Sequence, residues 1–126
     1  MKKWSIFLIL LFLLVIPPAA IGSAAGTELM TAFSVRITVV ENGMEYEWEY
    51  DSPSHYEYEH GEHVIKGAKA KEKVEKIVRE LMLHEKEDVK DFVSRLQTST
   101  YPDIERLDIR YMNGDGKLFT WVWEEE

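Results

Sequence analysis

The densest set of side chains able to do chemistry lies between residues 55 and 63, where His55, His60 and His63 are interleaved with Glu57, Glu59 and Glu62. Imidazole and carboxylate are the right ligands for zinc, copper or nickel. On one regular strand His55, Glu57, Glu59 and His63 share a face, provided that Gly61 inserts no bulge. The spacing matches no metal-binding signature, and a solvated polar strand face explains the same residues. A metal centre on His55, His60, His63, Glu57 and Glu59 is therefore the alternative expectation, and no cofactor is expected in the leading one.

Other groups carry less. Glu45, Glu47 and Glu49 stand in line on one alternating run, with Glu57 and Glu59 as candidates to adjoin them. Such a surface suits a basic partner or loosely held calcium, and equally suits the water-facing side of a half-buried sheet. Asn113-Gly114-Asp115-Gly116 lacks the Asp-x-Asx start and the twelfth-position Glu of a calcium loop, and a hairpin turn explains it. Glu62 with His63, or Glu57 with Glu59, are bare acid-base pairs without a mechanism. There is no nucleophile elbow, no cysteine, no HExxH and no phosphate-binding glycine loop, so the expectation is a protein that is not an enzyme. Tyr46, Trp48, Tyr50, Tyr56, Tyr58, Phe119, Trp121 and Trp123 recur at strand spacing, which reads as core. Any excess left uncovered would be an apolar patch and a partner site.

These residues need elements to position them, and the run from Phe33 to Tyr50 sets the frame. Two alternating segments flank Asn42-Gly43, a pair that tolerates the two positive φ angles of a type I′ turn. A two-residue loop there sets Val39 against Tyr46, Ile37 against Trp48 and Val35 against Tyr50, an apolar face that Phe33 extends. Arg36 then faces Glu49, and Thr38 faces Glu47. His55 to Lys66 reads as a third strand, in one or two pieces, that Gly61 disturbs by a bulge or a turn. From Gly67 to Leu83 the spacing of Ala70, Val74, Ile77, Val78 and Leu81 predicts a helix. A second helix, from about Lys86 to Leu96, buries Val89, Phe92, Val93 and Leu96 and holds Glu87 and Asp88 in its first turn. Ile104 to Met112 and Lys117 to Trp123 form another hairpin. Its three-residue loop, Gly114 to Gly116, sets Tyr111 against Phe119 and Ile109 against Trp121. The order β-β-(β)-α-α-β-β predicts an α+β two-layer sandwich, one antiparallel sheet with two helices on its aromatic face.

The chain of 126 residues suits one domain, preceded by a segment of another kind. Lys2 and Lys3, the apolar run Ile6 to Ile16, Pro17-Pro18 and the small residues Ala19 to Ala25 follow the order of a secretory signal peptide. The expectation is a signal peptide over 1–25 and a single α+β domain over 26–126. The alternative is a membrane anchor over residues 4–21. With no cysteine there are no disulfides and no lipid-modified cysteine, which leans toward bacterial secretion. Lys2 and Lys3 leave with the first segment and no acid does, so the net charge falls from −8 to −10. That excludes nucleic acid and anionic membrane surfaces as natural partners, and leaves membrane contact to the N-terminal segment.

The acidic hairpin, the segment Val64 to Ala70 leading into a helix over Lys71 to Leu83, the short Val89/Phe92/Val93/Leu96 helix and Glu105 to Tyr111 with its Gly-Asp-Gly turn together form a pattern. Over most of residues 33–123 it resembles the YusW-like family of Bacillus-type bacteria. The resemblance implies this architecture and a cell-envelope or extracellular setting. It implies no catalytic residues, since members have no assigned activity. Lipoprotein members carry an export-site cysteine that this chain lacks. The expected function is an exported, non-enzymatic binding module for a protein or envelope component, acting through its sheet face or a free strand edge.

Overall fold

The computed structural model of the chain describes residues 29–126, so the expected export segment lies outside the described residues. Its first hairpin joins β1 (Ala32–Glu41) to β2 (Met44–Asp51). Asn42 and Gly43 have φ of 50° and 75°, as the type I′ turn requires. Val39 faces Tyr46, Ile37 faces Trp48 and Val35 faces Tyr50, the register that the sequence implies. Phe33 departs from expectation. The pairing shifts between Ala32 and Ser34, so Phe33 is the extra residue of a bulge and stays 57 % exposed while Ala32 is buried.

Gly61-Glu62 is a turn, so the expected third strand is two: β3 (His55–His60) and β4 (His63–Lys66). They pair with each other, His60 opposite His63, and β3 pairs with β2. Gly61 takes φ of 60°, which glycine adopts without a Cβ penalty. On the other side, β5 (Ile104–Asn113) pairs with β1, and β6 (Leu118–Glu124) pairs with β5. The loop between them is the expected one: Tyr111 faces Phe119, Ile109 faces Trp121, and Gly116 has φ of 80°. The sheet is antiparallel throughout, in the order β4-β3-β2-β1-β5-β6.

Helix α1 (Ala68–Leu81) buries its whole predicted stripe: Ala70, Val74, Ile77, Val78 and Leu81. It stops short of Leu83 because Met82 turns left-handed, with φ of 52°. The Met82 and Leu83 amides then donate back to Arg79 and Val78. Helix α2 (Val89–Gln97) starts later than expected. Asp88 is its N-cap and accepts from the Lys90 amide at 2.9 Å, so Glu87 and Asp88 precede the first turn. Arg95 joins the two helices by donating to the Leu81 carbonyl at 2.9 Å and to Glu87 at 2.8 Å. That hydrogen bond holds the Glu87 carboxyl below its usual range.

Both helices lie on the aromatic face, α1 over β2, β3 and β4, and α2 over β5 and β6. The result is the expected α+β two-layer sandwich. The core runs between helices and sheet, with Ile37, Val39, Val74, Leu81, Phe92, Leu96, Leu107 and Ile109 buried. Tyr101 is a core residue that the polar loop Gln97 to Pro102 conceals in sequence. Its amide donates to the Leu96 carbonyl at 2.8 Å, and its ring packs edge-on against Tyr46 and Trp48. No helix among the described residues is long and apolar enough to cross a membrane.

Ile37 sits at the middle of this core, paired with Trp48 on one side and Ile109 on the other. Ile37→Ala is expected to destabilise the fold by about 3 kcal/mol through lost burial and a residual cavity. Urea unfolding at constant m-value checks this, and a cost under about 1 kcal/mol contradicts the placement.

Candidate functional site: the open sheet face and the free edge

The turn at Gly61-Glu62 decides the fate of the histidine-glutamate cluster. His60 lies opposite Tyr46 and shares its face, the helix side, where the two rings stack with centroids 4.7 Å apart. His63, opposite His60, is on that side too. His55, Glu57 and Glu59 alternate with Tyr56, Tyr58 and His60 and therefore face the other way. Glu57 is paired with Lys66 at 3.8 Å. The sheet thus separates the expected ligands into two sets. Among the described residues no three His, Asp or Glu side chains come together as a metal site. The Asn113 turn is likewise committed to itself. The Asn113 side-chain oxygen accepts from the Asp115 and Lys117 amides, and its amide nitrogen donates to Glu85.

The face away from the helices carries charge in stripes. Glu45, Glu47, Glu49, Glu57 and Glu59 adjoin across β2 and β3, as the sequence suggests. Arg36 of β1 reaches Glu49 at 3.5 Å. Beyond it Arg110 of β5 stands opposite Arg36, exposed and without an ion pair among the described residues. Arg36, Thr38, Glu47, Asp108 and Arg110 line a shallow depression of about 190 Å³ at the centre of this face. Glu47 is the perturbed group. Burial, a hydrogen bond with the neighbouring Glu49 carboxyl, and the charges of Glu49, Glu59 and Glu45 push its pKa up to about 7.

The two edges of the sheet differ. Strand β4 has four residues and ends on Lys66. Strand β6 has seven, and Leu118-Phe119-Thr120-Trp121-Val122-Trp123 carries no charge. Its helix-side residues Phe119, Trp121 and Trp123 are half-buried against the core. Trp121 is anchored there, its ring edge-on to Phe92 and its Nε1 donating to the Glu87 carbonyl at 2.9 Å. On the other side Leu118 and Val122 are each 54 % exposed, so this edge is apolar on both faces. Its backbone is open as well, with no further strand beyond it among the described residues. The Asn113 amide donates to the Lys117 carbonyl, and the Glu125 amide to the Glu105 carbonyl. By the alternation of an antiparallel ladder, odd-numbered residues of β6 bond to β5. Leu118, Thr120, Val122 and Glu124 then present N–H and C=O groups outward.

Sequence reasoning places Phe119, Trp121 and Trp123 but does not single out this edge. The signal was Leu118 and Val122, which put apolar residues where a half-buried strand usually turns polar. No protein-family model, curated protein or solved structure matches the chain, so its geometry carries the functional reading.

Two outcomes are expected. The folded state holds a proton on Glu47 to a higher pH than the unfolded state, whose value is near 4.5. Between about 4.5 and about 7 the folded state therefore binds more protons, and this group's contribution to stability falls as pH rises. Glu47→Gln is expected to raise the Tm at pH 8 by roughly 2–5 °C and to change it little at pH 4. Melts at both values check this, and an unchanged Tm at pH 8 would sink it. Stoichiometric zinc, copper or nickel is expected to leave the Tm unmoved, because the ligands diverge. A rise of several degrees that is lost in His60→Ala/His63→Ala would establish a site at the β3–β4 turn.

Proposed function

We propose that this chain is an exported, non-enzymatic interaction module of the cell envelope or extracellular space, and that it takes an extended protein segment as an added strand on β6. The observation that carries this reading is the free edge. Seven residues of paired strand end in outward backbone donors and acceptors, with exposed Leu118 and Val122 on one face and aromatic rings on the other. Strand addition draws affinity from main-chain hydrogen bonds and specificity from alternate side chains, and this edge offers both. An uncharged, apolar edge left unpaired is also an aggregation hazard, so its occupation by a partner removes a liability. The basic, apolar and small-residue order of residues 1–25 supports export, and the resemblance to the YusW-like family supports the envelope setting. The absence of a nucleophile motif or a metal-protease motif from the sequence supports a binding role over a catalytic one.

Thr120 provides the test because its N–H points away from β5. Thr120→Pro removes an outward donor without breaking the β5–β6 ladder. A benzophenone side chain at position 122 is expected to form polypeptide adducts in producing cells, and the same probe at position 57 is not. Adding Thr120→Pro is expected to cut the position-122 adducts at least fivefold while the Tm falls by no more than about 5 °C. Equal yields at 57 and 122, or adducts indifferent to the proline, overturn the reading.

A further inference from the structure

Resting on the strand-addition reading, we infer that the segment β6 receives is β6 of a second copy, joined antiparallel about a two-fold axis at Trp121. The pattern of the strand is suited to meeting itself. Centred on Trp121, the antiparallel register matches all seven residues, Leu118 to Glu124, with their counterparts. It sets Thr120 against the partner's Val122, so the outward backbone groups of each strand meet those of the other. On the helix side Phe119 faces Trp123 and Trp121 faces its own copy. The half-buried rings of the two chains therefore form one aromatic row. On the open side the exposed Leu118 and Val122 gain neighbours from the opposite strand.

Charge fixes the register. Lys117 directly precedes the strand and Glu125 directly follows it. The centred pairing lays Lys117 of each chain against Glu125 of the other, at both ends of the interface. A slide of two residues one way sets Lys117 against Trp123. The same slide the other way sets Glu125 against Phe119. A parallel arrangement would oppose Lys117 to Lys117, and like charges directly opposite destabilise a sheet. The two-fold axis is perpendicular to the sheet, so both helical layers fall on the same side. The two sheets join into one of twelve strands, whose edges are the short β4 strands ending in Lys66. The interface is self-complementary, as a two-fold contact between identical chains must be.

The chain has no cysteine, which makes introduced thiols unambiguous reporters. In cells co-producing full-length Lys117→Cys and Glu125→Cys copies, mild oxidation is expected to give a disulfide-linked dimer. Its yield should exceed that of either variant alone by at least about fivefold, since like positions lie eight residues, or roughly 26 Å, apart in this register. Lys117→Glu is expected to weaken the dimer about tenfold, because two pairs become repulsive. Lys117→Glu/Glu125→Lys should restore it to within about threefold. Dimers that form best between two Lys117→Cys copies overturn the antiparallel register. No thiol dimer, together with position-122 adducts to a different polypeptide, overturns the second copy as occupant and leaves strand addition standing. No thiol dimer and no adduct removes both.

Discussion

The structure depends on β1 being bonded on both sides with one fixed register. Val35 lies between Tyr50 and Tyr111, Ile37 between Trp48 and Ile109, and Val39 between Tyr46 and Leu107. All three are essentially inaccessible to water. A slip of one residue on either side would turn an entire strand over, sending Arg36 and Thr38 toward the helices. The Asn42-Gly43 turn prevents the slip on one side by allowing only a two-residue loop. On the other side the helical pair intervenes, and the apolar face itself must select the register. Once those pairs are set, both hairpins, the position of each helix and the separation of polar from apolar face follow.

What could be read from the sequence was what local chemistry determines. The β1–β2 and β5–β6 hairpins are legible because Asn-Gly and Gly-Asp-Gly turns coincide with clean alternation. Both helical stripes were legible because five and three buried positions repeat at helical spacing. The exposure of Phe33 is not legible in the sequence because a bulge is set by the pairing of two strands distant in sequence. Glycine alone marks a bulge or a turn equally well, so the sequence does not decide the reversal at Gly61-Glu62. That ambiguity had a large effect, since it decides whether the histidines share a face with the glutamates. Tyr101 was hidden by its polar neighbours. The edge was hidden for another reason: which strand ends up outermost is a property of the whole sheet order.

The open face explains how a sheet with helices on one side remains compatible with water. Its charges are paired in places, as at Arg36–Glu49, Lys66–Glu57 and Arg106–Asp108, where Arg106 also reaches Glu124. Exposed pairs of this kind contribute little to stability individually. Their effect is to oppose burial: desolvating this face would cost the charges on it, which disfavours stacking on a copy face to face. Glu47 marks how close the acidic half comes to its limit. With Glu45, Glu49 and Glu59 around it, it retains its proton to near neutrality.

The two edges remain open to strand pairing, and they are unequal. Strand β4 is short and places Lys66 at its end. These are the features by which natural sheets discourage further pairing. Strand β6 is longer and carries no charge along its first six residues, and the flanking charges are basic before and acidic after. A protein can block β-pairing with a single lysine on the outward face, and Thr120 is where such a lysine would stand. The chain spends its charges instead on the open face and the strand ends. In the pairing proposed for β6, those end charges attract only in the centred antiparallel register.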